Sequence, residues 1–197
     1  MPWLEPTTLR GAHARLEPLS QDHCDALTEA VKDGELWKLW YTSVPSAEGM
    51  AKEIGRRLTL QAAGSMLPFT VFDATGQIVG MTTYMNVDTP NRRVEIGSTW
   101  YAKRVQRSAV NTQCKILLLT HAFEKLDCIA VEFRTHFFNH QSRRGIERLG
   151  AKRDGILRSH AIARNGTLRD TVVYSIIASE WPTVKVHLDY QLNEKPR

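Results

Sequence analysis

Basic and small residues crowd into one short stretch, Lys103-Arg104-Val105-Gln106-Arg107-Ser108-Ala109, which runs straight into Val110 and Asn111. The chemistry such a stretch offers is the holding of phosphate. The residues before it, Arg93 to Tyr101, read as a strand, and those after it, Val110 to Leu126, as a long amphipathic helix. The first backbone N–H groups of a helix have no partner within it, and the helix dipole places partial positive charge there. Lys103, Arg104 and Arg107 add full charges beside those groups. Taken alone, such a loop is more often an ordinary solvated connection, so its meaning depends on the rest of the chain.

The surrounding elements are legible from periodicity and punctuation. Leu9 to Leu19 reads as a strand, and Ser20 caps a helix that carries Leu27, Ala30 and Val31 to Gly34. The aromatic stretch Leu36–Tyr41 is irregular. Pro45-Ser46 opens a second helix, with Met50, Ile54 and Leu58 at helical spacing, ending near Gly64. Pro68–Asp73 and Ile78–Val87 form a hairpin, and Arg93–Tyr101 completes a meander. In that third strand Val94, Ile96 and Trp100 are expected on one face and Glu95 on the other. After the helix come a strand at Ile129–Thr135, a short helix capped by Asn139 and ended by Gly150, and a hairpin of Ala151–Ala163 with Leu168–Ala178. The expectation is an α+β, three-layer fold with a mixed, mostly antiparallel sheet of seven strands flanked by helices. Residues 1–197 are expected to form one domain, with a core of about 9–181 and a polar, partly loose tail after Trp181-Pro182.

Composition narrows the setting. At 197 residues the chain is long enough to bury a full core. No apolar run approaches the ~20 residues of a membrane span, and the first residues lack the blocks of a signal peptide. Cys24, Cys114 and Cys128 have no motif spacing, so they read as small core residues in a reducing, cytoplasmic protein. The seven histidines show no ligand spacing, and no metal site is expected. The net charge of +5 suits an anionic partner. Eight Lys/Arg between Arg143 and Arg169 stand against Glu147 and Asp154, but aromatics do not interleave with them as a nucleic-acid platform requires.

The order of elements, with the phosphate-type loop after the fourth strand, resembles the GNAT superfamily of acetyl-CoA-dependent N-acetyltransferases over roughly Leu9–Trp181. Three motifs carry the resemblance: Arg104-Val-Gln-Arg107-Ser108-Ala109, Asn139-His-Gln-Ser142, and Ile146-Glu-Arg-Leu-Gly150-Ala. The run around Val110–Lys115 and the stretch Arg169-Asp-Thr-Val-Val-Tyr-Ser-Ile look like the RimJ/RimL-type branch, which acetylates protein N-terminal amines. One departure stands out: Arg107 occupies the first glycine position of the loop. The guanidinium either crowds the cofactor's pyrophosphate or adds charge to it.

The resemblance implies acetyl-CoA as co-substrate. It implies cofactor contacts from Ile96, Gly97, Ser98, Arg104, Arg107, Ser108, Ala109, Val110, Asn111, Asn139 and Ser142. A backbone N–H near Ile96–Ser98 would polarise the thioester carbonyl. Direct transfer to an amine also needs a base and a proton for the leaving thiolate. Glu95 is the candidate base; the competing reading pairs it with Arg92 or Arg93 as an ordinary strand carboxylate. The family often places a tyrosine in the helix after the Asn, and this chain has none there, so Ser142 is the candidate acid. Its competing reading is a capping partner of Asn139. The acceptor is a primary amine, from a protein N-terminus or a small molecule, with neither nucleic acid nor membrane as partner and a homodimer left open. The alternatives are a nucleic-acid-binding protein using the basic 143–169 region and a CoA-binding relative without transferase activity.

Overall fold

A computed structural model describes residues 3–194. In chain order it has strands β1 (Leu9–Arg10) and β2 (Ala14–Pro18), helices α1 (Cys24–Lys32) and α2 (Met50–Ala62), and strands β3 (Met66–Asp73), β4 (Ile78–Asp88) and β5 (Arg93–Tyr101). Helix α3 (Ala109–Glu124), strand β6 (Ala130–His136), helix α4 (His140–Glu147), strands β7 (Lys152–Ile162) and β8 (Leu168–Ile177), and helix α5 (Trp181–Asn193) follow. The sheet order is β1-β2-β3-β4-β5-β6-β8-β7. Only β5 and β6 run parallel; every other neighbouring pair is antiparallel.

Two apolar cores make the three layers. On one side of the sheet Leu27, Ala30 and Val31 of α1 and Met50 and Ile54 of α2 pack on Met81 and Trp100. On the other, Cys114, Leu118, Leu119 and Ala122 of α3 and Trp181, Val184 and Leu188 of α5 pack on Tyr84, Val94, Ile96 and Phe133. Helix α3 lies between the sheet and α5, which explains why it is buried on most sides rather than along one stripe. Among the described residues no helix is long and apolar enough to cross a membrane.

The mixed, mostly antiparallel sheet and the flanking helices are those expected, with three corrections. The sheet has eight strands rather than seven, because Leu9–Leu19 folds back on itself. Gly11 donates its N–H to the Ala14 carbonyl at 3.0 Å, and Arg10 pairs with Arg15. The tail from Trp181 is helical through Asn193. Pro182 sits in its first turn, Trp181, Val184 and Leu188 face the core, and Trp181 Nε1 donates to Glu124 at 2.9 Å. Trp100 does not share a face with Val94 and Ile96. A bulge between the Thr83↔Gly97 and Met81↔Trp100 pairs inserts one residue into β5, and one inserted residue flips the alternation. Trp100 therefore lies on the Glu95 side, in the core with α1 and α2.

Candidate active site

The site is a cleft of about 940 Å³ where β5 and β6 part. The two strands are in register only over Arg93–Glu95 and Ala130–Glu132. Beyond that point β5 stays with β4, and β6 stays with β8 as far as His136↔Thr171. The facing backbone edges are thus free of ladder partners along the cleft, and Ser98, at the bulge, has φ of 48°. Arg57, only 2% exposed, holds this bend from α2. Its guanidinium donates to Thr83 Oγ1 at 2.7 Å and to the Ser98 carbonyl at 3.3 Å, and Glu53 neutralises it at 2.8 Å.

Glu95 lines the cleft with 5% exposure. Burial raises its pKa, while a hydrogen bond from Asn86 Nδ2 (2.7 Å) and the Arg134 guanidinium (3.6 Å) oppose the shift. The alternative partners are engaged elsewhere: Arg92 with Asp127 and Arg93 with Glu132. Gly97 is what makes room for this carboxylate. A Cβ there would stand 2.9 Å from Glu95 Oε1 and 2.7 Å from Met85 Sδ, closer than unbonded atoms approach.

At the far end of the cleft Ser108 caps α3, its Oγ accepting from Val110 N–H at 3.3 Å. Arg107, Ser108, Ala109 and Asn111 line the cleft beside that helix N-terminus. Arg107 is exposed and sits at φ 59°, the left-handed region a glycine would occupy without strain. Two expected residues are not in the lining. Arg104 turns away: its N–H and guanidinium engage Asp33, and Nη2 donates to the Ile78 carbonyl at 3.3 Å. Val110 is buried in the core on the α3 side. Ile96, Gly97, Ser98, Asn139 and Ser142 all line the cleft. Asn139 Oδ1 accepts from the Ser142 backbone N–H at 3.0 Å, so the cap uses the main chain of Ser142 and leaves its hydroxyl to the cleft.

The cleft also contains residues that sequence reasoning did not single out. Lys115 of α3, 6% exposed, lines it and donates only to Thr99 (3.2 Å) and Thr82 (3.5 Å). Burial pulls its pKa down to about 8. Trp100 and Tyr101 line the cleft too; the Trp100 Nε1–H is buried without a hydrogen-bond partner among the described residues, and the Tyr101 hydroxyl lies against the Cys114 thiol. On the Glu95 side stand Tyr41, His136, His160 and Arg169. The only sequence signal for Lys115 was a lone lysine in an apolar helix. For Trp100 and Tyr101 it was a pair of amphipathic aromatics directly before the basic loop.

A lysine without a carboxylate and a helix N-terminus suit an elongated, acceptor-rich anion. A carboxylate on the opposite side suits a cationic second ligand. A cleft in which a parted parallel pair brings two such ligands together defines a group-transfer domain.

Comparison with known proteins agrees. The acetyltransferase (GNAT) domain family matches residues 13–152, and the chain belongs to that family. A Bacillus subtilis (strain 168) protein named "Putative ribosomal N-acetyltransferase YdaF" is 35% identical over 106 residues, which cover 54% of this chain and 57% of that protein. The chain thus matches little more than half the length of that relative. The crystal structure of a GCN5-related N-acetyltransferase from Brucella melitensis superposes with a TM-score of 0.86 at 29% identity, covering 98% of this chain and 88% of that one. Mycobacterium smegmatis RimJ in complex with CoA-disulfide shares the fold, with a TM-score of 0.78 at 20% identity over 94% of this chain and 93% of that one.

Proposed function

We propose that this chain transfers an acetyl group from acetyl-CoA to a primary amine, and that the amine is the N-terminus of a protein. The observation that carries the reading is Glu95, a buried carboxylate on the wall of the cleft, held by Asn86 and Arg134 at the point where β5 and β6 part. The name of the B. subtilis relative and the CoA bound to M. smegmatis RimJ support the cofactor and the acceptor class.

When bound, acetyl-CoA supplies the acyl thioester that the amine attacks; the C–N bond forms as the C–S bond breaks. The α3 N-terminus with Ser108, Ala109 and Asn111 would hold the phosphates, with Lys115 and Arg107 adding charge. Glu95 takes the proton that the acceptor ammonium must lose, directly or through one water. Backbone N–H groups over Ile96–Ser98 donate to the carbonyl oxygen as negative charge develops on it. The Ser142 hydroxyl would donate a hydrogen bond to the departing thiolate, which takes up the second proton that the nitrogen sheds as the amide forms. Arg57, by holding the Ser98 carbonyl, keeps the bend that aims these groups.

The test is mass detection of acetyl transfer from acetyl-CoA to a pool of peptides with free N-termini, beside calorimetry with CoA. Transfer to α-amines with CoA binding is the expected result. Tight CoA binding with no acetylated product from peptides or small amines would overturn the reading in favour of a relative that binds without transfer.

A further inference from the structure

His136 ends β6 with only 4% of its surface exposed. Its Nδ1 lies 3.1 Å from the Phe138 N–H and accepts from it, so the single proton of the neutral ring sits on Nε2. Burial and the Arg169 cation lower its pKa, against Asp170, which keeps the ring neutral near pH 7. Among the described residues Nε2–H then has no hydrogen-bond partner; it is a donor removed from solvent, on a ring that lines the cleft. Buried polar groups are nearly always paired, and an unpaired one at a cleft wall marks a place where a ligand atom belongs.

Strand geometry fixes which ligand. Glu132 stands directly beside Glu95 in the parallel pair, and alternate residues share a face, so Arg134 and His136 follow on the Glu95 side. From Glu132 the strand advances roughly 13 Å to His136, while β5 advances roughly 10 Å from Glu95 to Ser98. His136 therefore stands near the level of the bulge. Aromatic rings surround it: Trp40 edge-on at 5.0 Å, Tyr41 at 6.3 Å and Phe138 at 5.8 Å. Trp40 and Tyr41 come from the connection between α1 and α2.

We propose that His136 is an acceptor-specificity residue: its Nε2–H donates to the carbonyl oxygen of the residue that bears the reacting amine. The proposal rests on the reading of the cleft as an amine acetyltransferase site. An ammonium only donates, and so is served by Glu95, which it reaches through water from the level of the bulge; a carbonyl only accepts, and so belongs to a neutral Nε2–H. A peptidyl α-amine carries both groups on adjacent atoms of one residue, whose side chain meets the aromatic rings. An alkyl amine carries only the first.

The test compares two pools of acceptors: tripeptide amides varied at the first residue, and the alkyl amines obtained from the same first residues without their carbonyl. The parent should acetylate the peptides and largely ignore the amines. His136→Asn keeps an acceptor for the Phe138 N–H but shortens the donor, whereas His136→Gln restores its reach. The Asn variant should raise the peptide KM about tenfold, with kcat within about twofold, the amine rates unchanged, and CoA affinity and Tm kept. The Gln variant should recover most of the loss. Equal effects on both pools, or a fall in Tm without a change in KM, would return His136 to a structural role. Equal use of both pools by the parent would overturn the peptidyl acceptor. If the parent acetylated neither pool while binding CoA, the failure would lie with the proposed transferase activity itself.

Discussion

Besides Arg57, which holds the bend, two buried charges flank the bulge of β5, one on each side of the sheet, and their surroundings differ. Glu95 is compensated: an amide donates to it, a guanidinium stands close, and a second guanidinium, Arg169, acts from further off. Lys115 has two threonine hydroxyls and, among the described residues, no carboxylate within ion-pair distance. Both groups are penalised by burial, but only Glu95 is repaid within the protein. A compensated charge keeps a defined position and a tuned pKa, which a proton-transferring group needs. An uncompensated charge stores the cost of burial until an opposite charge arrives, which is how a binding group behaves. The contrast separates the chemical side of the cleft from the cofactor side.

The strongest way to break this contrast is to remove the compensated charge. Glu95→Gln keeps the shape and the Asn86 contact but cannot accept a proton. We expect kcat to fall about 10²- to 10³-fold with CoA affinity within about twofold by calorimetry. Because burial raises the pKa of Glu95, the base form is lost as pH falls, and the acid limb of the parent's kcat/KM profile should be displaced upward from that of an ordinary glutamate. The Gln variant should lack that limb. An unchanged profile would make Glu95 a structural strand residue.

The second effect is on Lys115 and runs in opposite directions for stability and binding. Its folded pKa, about 8, is below the ordinary lysine value of 10.5. The unfolded chain therefore binds more protons between those values, so the apo protein gains stability as pH rises through that window. At pH 7 the buried ammonium costs on the order of 3 kcal/mol, taking 1.36 kcal/mol for each pKa unit. Lys115→Met should raise the Tm of the apo protein and weaken CoA about tenfold or more. In the parent, CoA affinity should fall above about pH 8 as the ammonium is lost, and the Met variant should not show that fall. A variant that is more stable and binds CoA as before would mean that Lys115 is a tolerated defect rather than a cofactor group.

The cofactor side was the more legible in the sequence, for physical reasons. Caps and punctuation act locally: Asn139 caps α4 as its type predicts, and the loop residues Arg107 to Ala109 sit at the N-terminus of α3, where Ser108 supplies the cap. The period-2 alternation of β5 put Glu95 opposite Val94 and Ile96. It failed at Trp100, because a bulge changes the parity of every residue beyond it and no single residue type announces it. Helix α5 was missed although Trp181, Val184 and Leu188 carry the helical spacing, because polar neighbours and Pro182 read as a tail. Lys115, Arg57 and His136 depend on contacts between elements distant in the chain: α3 with β4 and β5, α2 with the bulge, β6 with the α1–α2 connection. Type and spacing do not reveal those contacts. Arg104 shows the converse, since a basic residue inside the motif spends its side chain on Asp33 and a β4 carbonyl.

The smallest expected effect concerns Arg107, and it sharpens the contrast from the cofactor side. At φ 59° a residue with a Cβ carries left-handed strain of roughly 1–2 kcal/mol, which glycine does not. Arg107→Gly relieves that strain but also loosens the unfolded chain by up to ~1 kcal/mol, so the net change in Tm should be a small rise. The guanidinium is exposed, unlike the Lys115 ammonium, so solvent and salt screen its contribution to phosphate binding. The glycine variant should therefore bind CoA within about tenfold of the parent, or ~1.4 kcal/mol. Arg107→Glu, which keeps the strained backbone and reverses the charge, should weaken binding more, and most at low salt. Titrations at two salt concentrations separate the cases: if the loop works through its backbone and Lys115, the glycine variant keeps its affinity at both. If Arg107→Gly created CoA binding in a parent that had none, the arginine would be blocking the phosphate site, and the uncompensated Lys115 would have no anion to meet.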